Sequence, residues 1–170
     1  ALRSDLKAAG LQLGAPVFLR ILKRPGVVEV FVENTSGRFE RFRAYRICAF
    51  SGGLGPKLKT GDGQAPEGFY AVGAAQMNPW SAYHLSFDLG YPNAFDRAHG
   101  RTGSALMMHG NCVSIGCYAM GDDAIEEIWT IMDAAFSAGQ TRVRVHALPF
   151  ALTKSALAAE AKNPNFEFWR

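Results

Sequence analysis

Two residue types in this chain are suited to covalent chemistry at a carbonyl, and they meet in one short segment, His109-Gly110-Asn111-Cys112-Val113-Ser114-Ile115-Gly116-Cys117. A thiol attacks carbonyl carbon as thiolate, and an adjacent imidazole both lowers the thiol's pKa and relays its proton. His109 and Cys117 stand eight residues apart, with Gly110 and Gly116 in the loop that would fold one back on the other. A helix expected to begin near Ala124 would add a positive N-terminal end close to Cys117 and favour thiolate further. Spacing alone is weak evidence, because a histidine and a cysteine this close are more often core or loop residues. The other cysteines are Cys48 and Cys112. Cys112 reads as a disulfide partner, as a modulator of Cys117, or, the favoured reading, as a small buried hydrophobe. No CxxC pair and no histidines at zinc-ligand spacing accompany them, so neither a metal nor another cofactor is expected.

The elements that must position these residues follow from periodicity and punctuation. Val17 to Leu22, Val27 to Val32 and Phe39 to Phe50 read as three strands in meander order, separated by Pro25-Gly26 and by Asn34-Thr35-Ser36-Gly37. Ser51 to Gly68 holds six glycines and two prolines and reads as a long functional loop. It lacks the glycine-to-lysine spacing of a phosphate-binding loop. Further strands are expected at Phe69 to Val72, at Tyr83 to Leu89, and at Ala105 to His109, the last delivering His109 to its end. Tyr91 to Gly103 reads as a polar loop. The clearest helix runs from about Ala124 to Ala138, with Asp123 as N-cap, Glu126 in a capping box, and a buried stripe through Ile125, Ile128, Trp129, Met132, Ala135 and Phe136. Thr141 to Ala147 alternates as a half-buried strand, and Thr153 to Lys162 forms a second helix. The pattern is that of a mostly β domain with helices, an α+β class.

At 170 residues the chain suits one domain, divided here into a lead-in (1–16), a catalytic body (17–148) and a helical tail (149–170). A net charge of +3, without consecutive basic runs or basic helices interleaved with aromatics, gives no indication of nucleic-acid binding. No apolar run approaches the roughly 18 residues of a membrane span. A start at Ala1 fits an export signal already removed, and so a periplasmic or exported setting.

HGxxxSxGC at His109 to Cys117 resembles the signature of the L,D-transpeptidase (YkuD-type) catalytic domain. The stretches GPK and GDGQAPEGFY (Gly55 to Tyr70), YHLSFDLGYPNAFDRAHGRTG (Tyr83 to Gly103) and HGNCVSIGCYAM (His109 to Met120) resemble its YafK-like branch. The resemblance implies a β-sandwich-like fold and a cysteine enzyme acting on peptidoglycan stem peptides. Such an enzyme attacks the carbonyl at the L-centre of diaminopimelate, expels D-alanine, and passes the thioester's acyl group to an amine or to water. Cys117 is then the nucleophile and His109 the base, with the Gly116 and Cys117 amides near the oxyanion and Ser114 at the motif's serine. Ile115 stands where the family more often has histidine, the spacing from His109 to Cys117 is shorter than usual, and Tyr118 and Ala119 occupy a region where arginine is common. These departures bear on whether the acyl group is transferred or hydrolysed. Alternatives are a hydrolase that frees proteins linked to peptidoglycan at diaminopimelate, and a non-catalytic peptidoglycan-binding module.

Around that core, Tyr83 and His84 are expected to line the substrate groove. Arg97 or Arg101 would bind stem-peptide carboxylates through a bidentate fork, and Lys57 would face either a carboxylate or solvent. Asp88, Asp96 and Asp122 each have the chemistry to orient His109, and the resemblance adds a main-chain carbonyl as the alternative.

Overall fold

Val17, Leu19 and Ile21 alternate with Phe18 and Arg20, and that period of two buries one face of strand β1 (Val17–Leu22). A computed structural model describes all 170 residues. Strand β1 sits at the centre of a five-stranded sheet. On one side it pairs antiparallel with β2 (Val27–Glu33), which pairs with β3 (Phe39–Arg46). On the other it runs parallel to β10 (Val143–Leu148), whose outer neighbour is the antiparallel edge strand β5 (Gly68–Val72).

A second five-stranded sheet is built from shorter pieces, in the order β4 (Ala49–Phe50), β9 (Tyr118–Ala119), β8 (Met107–His109), β7 (Ser86–Asp88) and β6 (Met77–Asn78). The expected strand from Phe39 to Phe50 is therefore two strands in different sheets, broken at Ile47-Cys48. Helix α3 spans Asp122–Ser137, with Gly121 at the N-cap in place of Asp123 and no side-chain cap. Asp122 turns its carboxylate instead to the Asn111 amide, at 2.8 Å. The helix buries Ile125, Ile128, Ile131, Met132 and Ala135, leaves Trp129 and Phe136 partly buried, and yields to Gly139 at φ +112°. A 27-residue apolar cluster joins this stripe to Leu19, Ile21, Val28 and Val145 of the first sheet and to Phe87, Met108 and Tyr118 of the second. The class is α+β.

The outlying segments are tied to this body. Helix α1 (Leu2–Ala8) buries Leu6, and the tail forms α4 (Lys154–Ala159) and α5 (Phe166–Trp169). Ser51 to Gly68 is a loop, held from beneath by a buried ion pair. Lys23 Nζ lies 3.1 Å from Glu67 and donates to the carbonyls of Gly53, Gly55 and Ala65 at 2.8–3.0 Å. Glu67 accepts in turn from the Gly55 amide at 2.6 Å and from the Trp169 indole at 2.8 Å. Every polar atom of the pair thus has a partner, which a charge out of water requires. Burial pushes the Lys23 pKa down, against the opposing pull of Glu67. No helix is long and apolar enough to cross a membrane.

Candidate active site

Strand β8 carries His109 as its last residue and runs parallel to β9, with Met108 opposite Tyr118 and His109 opposite Ala119. Cys117 immediately precedes β9, so it stands level with the start of β8, and the Met107 amide donates to its Sγ at 3.4 Å. The thiol's own contact is with the Ala105 carbonyl at 3.6 Å. Parallel pairing thus brings Cys117 and His109 together at the β8–β9 pair. No hydrogen bond joins the two side chains.

His109 is 2% exposed. Its Nδ1 is hydrogen-bonded to the Gly110 carbonyl, and Tyr83 lies over the ring with centroids 4.6 Å apart and planes 28° apart. None of the three aspartates orients it: Asp122 serves Asn111, Asp96 is paired with Arg101, and Asp88 Oδ1 accepts from the Gly90 amide. Gly110 has no room for a side chain. A Cβ there would lie 2.7 Å from the Tyr83 carbonyl, 2.8 Å from Asp122 Oδ1 and 3.0 Å from Ile125 Cγ2. The glycine after His109 is what lets the chain pass between Tyr83 and α3.

The loop between them is anchored at several points. Cys112 is bonded to Cys48, with Cα atoms 5.4 Å apart, and both residues are exposed. The expected buried free thiol at Cys112 is thereby corrected: the β3–β4 corner passes close enough to capture it. Cys117 remains the one free cysteine. Ser114 Oγ donates to the Cys117 carbonyl, and the Ser114 carbonyl accepts from Ser51 of the glycine-rich loop at 2.8 Å. Gly116 adopts φ +95°, and a Cβ would press on Leu106 at 3.2 Å. The amides from Val113 to Cys117 donate to no protein acceptor. Ile115, where the family often has histidine, is 91% exposed.

Electrostatics differ from the sequence expectation of a depressed thiol pKa. Burial pushes the Cys117 thiol up, and Asp88 adds to the rise, while the Met107 amide and Lys57 oppose it. The first turn of α3 carries Asp122 and Asp123, whose carboxylates oppose the positive end of the helix.

The other expected substrate residues separate. Tyr83, 39% exposed, lies at the site over His109, whereas His84, at φ +74°, turns to Glu126 on α3 at 2.7 Å. Arg101 already has a partner inside the protein: it is paired with buried Asp96 at 2.7 Å and stacked between Phe95 and Phe168 at 5.1 and 4.9 Å. Asp96 also accepts from Tyr70 and from the amide of Asn93, the N-cap of α2 (Ala94–Ala98), a helix within the expected 91–103 loop. The signal for it was Asn93 with Asp96 three residues on, a capping box. Lys57 is 5% exposed and pairs with Asp62 at 2.6 Å, near enough to Cys117 to act on it through space. Arg97 is exposed, donates to the Pro92 carbonyl and lines a groove that includes neither Cys117 nor His109. No group of three or more His, Cys, Asp or Glu side chains is arranged to hold a metal ion.

Residues 27–145 match the model of the L,D-transpeptidase catalytic domain (YkuD). The chain is 42% identical over 158 residues to "Putative L,D-transpeptidase YafK" of Escherichia coli K12, covering 92% of this chain and 63% of that protein. The chain therefore spans less than two thirds of the curated relatives it matches. Among solved structures, the helical cell shape determining protein Pgp2 of Campylobacter jejuni superposes with a TM-score of 0.62 at 21% identity, covering 94% of this chain and 59% of Pgp2. Bd1075 of Bdellovibrio bacteriovorus gives 0.53 at 20% identity, covering 84% and 51%. At these identities the likeness is one of fold.

Proposed function

The chain belongs to the L,D-transpeptidase catalytic-domain family, and from that premise we propose that it is a cysteine acyltransferase or hydrolase of peptidoglycan stem peptides. The observation that carries the proposal is the free Cys117 thiol set between β8 and β9, on the strand pair that ends in buried His109. Because His109 Nδ1 is engaged by a carbonyl, Nε2 is the nitrogen left to accept the thiol proton. The thiolate then attacks the carbonyl at the L-centre of diaminopimelate. The amides of Gly116 and Cys117, free of protein acceptors, are suited to the developing oxyanion. Collapse expels D-alanine, which takes the proton from His109. The thioester then passes to an amine or to water, and His109 again moves the proton. Ser114 holds the loop's shape through the Cys117 carbonyl, and Tyr83 shields the imidazole and borders the substrate. The Cys48–Cys112 disulfide fits an oxidising, periplasmic or exported setting.

A second reading, release of proteins linked to peptidoglycan at diaminopimelate, is favoured by the exposed apolar pair Val113 and Ile115 beside the nucleophile, 55% and 91% exposed. Such a rim suits a protein-bearing substrate better than a bare peptide. Both readings are tested by incubating the chain with diaminopimelate muropeptides, with and without a D-amino acid acceptor, and with protein-linked peptidoglycan, then identifying products. Cys117→Ala should abolish every product and the thioester mass adduct. Turnover that survives this change would exclude the mechanism.

A further inference from the structure

One buried side chain, Ser86 on β7, serves neither the chemistry proposed above nor the apolar core. Its Oγ is the only buried side-chain nitrogen or oxygen without a hydrogen-bond partner, and the residue is 0% exposed. An unpaired hydroxyl out of water is destabilising, and alanine would fill the same space without that cost. What stands beside it is specific. Strand β7 pairs with β8 so that Ser86 lies directly opposite His109. The Gly110 amide donates to the Leu85 carbonyl at 3.0 Å, one residue outside the pair on each strand. That bond marks Ser86 and His109 as a non-hydrogen-bonded antiparallel pair, the kind whose side chains approach most closely. The Trp129 indole, donating to the Ser86 carbonyl at 3.1 Å, fixes the backbone there from α3. On the far side of His109, β9 sets Ala119, and Tyr83 lies over the ring. Of these three neighbours Ala119 offers a methyl group, Tyr83 a ring face, and Ser86 a hydroxyl.

Proton transfer changes what that hydroxyl can do. With one ring proton, on Nδ1 against the Gly110 carbonyl, His109 has no N–H to offer Ser86. When the Cys117 S–H bond breaks, sulfur keeps the electron pair and Nε2 takes the proton. The ring then carries a second N–H and a positive charge. We propose that Ser86 is a positioning residue for His109: its hydroxyl oxygen accepts the new Nε2–H and holds the imidazolium until the proton leaves on the amine of the departing D-alanine. No atom of Ser86 is transferred. A hydrogen bond from a charged donor is stronger than one between neutral groups, so the contact favours the charged ring over the neutral one. It acts on the transfer step and not on substrate binding. The inference rests on the reading of His109 as the base.

The test compares the full chain with its Ser86→Ala form. Thermal unfolding should show the variant no less stable than wild type, because only an unpaired hydroxyl is removed. On a soluble diaminopimelate muropeptide, kcat should fall about tenfold with KM unchanged, the mark of a contact made in the transition state alone. Magnetic resonance of chains carrying isotopically labelled histidine, at about pH 5, reads the charged ring directly. There the Nε2–H signal of His109, assigned against His109→Gln, should be present in wild type and lost to solvent exchange in Ser86→Ala. The Nδ1–H signal, held by Gly110, should stay in both. Identical Nε2–H signals in the two forms overturn the proposal even where kcat falls, since the fall would then be structural. An unchanged kcat overturns it as well. If no form turns over muropeptide, or His109→Ala keeps full turnover, the catalytic reading fails, and the Nε2–H comparison still decides whether Ser86 holds the charged ring.

Discussion

Because a carbonyl oxygen can only accept, the contact between His109 Nδ1 and Gly110 places the ring proton on Nδ1 and leaves the Nε2 lone pair for the thiol. The thiol faces the opposite influence, since burial holds it protonated. Resting Cys117 is therefore a neutral thiol, and under the proposed mechanism it needs His109 as base at the moment of attack. Its alkylation rate in wild type should climb with pH into and beyond the ordinary thiol range instead of reaching a plateau below neutrality. His109→Ala should lower stem-peptide turnover by about 10²-fold or more, the usual worth of a positioned general base. A stopped-flow alkylation profile already flat at pH 6 would contradict the protonated resting state, and unaltered turnover in His109→Ala would remove the base. Gly110→Ala tests the adjoining constraint. Its Cβ would meet two oxygens below 3 Å, so the chain must shift, at a cost of about 1–3 kcal/mol. Thermal unfolding should report the loss, and turnover should fall with it as Tyr83 leaves the His109 ring.

The loop from Gly110 to Gly116 has almost no apolar burial of its own and is held by cross-links to other elements. One is the disulfide, which joins residues 64 apart in sequence and ties the loop to the corner between β3 and β4. Chain entropy alone assigns it about 4 kcal/mol. Reduction, or the double change Cys48→Ala with Cys112→Ala, should lower stability by roughly 2–4 kcal/mol. It should also slow turnover while leaving Cys117 available to alkylation. Unfolding curves that superpose with and without reductant would contradict this. The neighbouring 51–68 loop carries its own pH signature. Burial would raise the Asp62 pKa, but the Lys57 ammonium and the amides of Leu58, Lys59 and Gln64 outweigh it and hold the carboxyl at about 2. A folded-state pKa below the unfolded value gives stability that is present above roughly pH 4 and lost as pH falls through about 2. Asp62→Asn should flatten that part of an acid-unfolding curve.

Across the whole molecule the buried Lys23–Glu67 pair joins β1, the glycine-rich loop and the C-terminal Trp169. Lys23→Met would leave Glu67 charged and unpaired in the interior, so a loss of about 3–5 kcal/mol is expected. Trp169→Phe removes one hydrogen bond to that carboxylate and should cost about 1–3 kcal/mol. Equilibrium denaturation separates the two. A Lys23→Met loss no larger than that of Trp169→Phe would mean that Glu67 finds another partner or a proton.

Residue order determined a good deal of this protein without help. An apolar, β-branched run marks β1, alternation marks β10 because one of its faces is buried, and the spacing of Ile125, Ile128 and Met132 marks α3 because a helix repeats every 3.6 residues. The ordered motif around His109 and Cys117 carried the family, since its glycines and serine answer to local geometry: no space beside Gly110, positive φ at Gly116, and a Ser114 bond to the Cys117 carbonyl. What periodicity could not reach are the two-residue strands β6 and β9, too short to show a period, and the split between β3 and β4. Partners distant in sequence were equally out of reach. Cys48 with Cys112, Lys23 with Glu67, Arg101 with Asp96 and His84 with Glu126 are pairings that only folding selects, because each depends on which surfaces the two sheets bring together. The thiol's raised pKa belongs with them, since burial is a property of the surrounding fold and not of the residue or its neighbours in sequence.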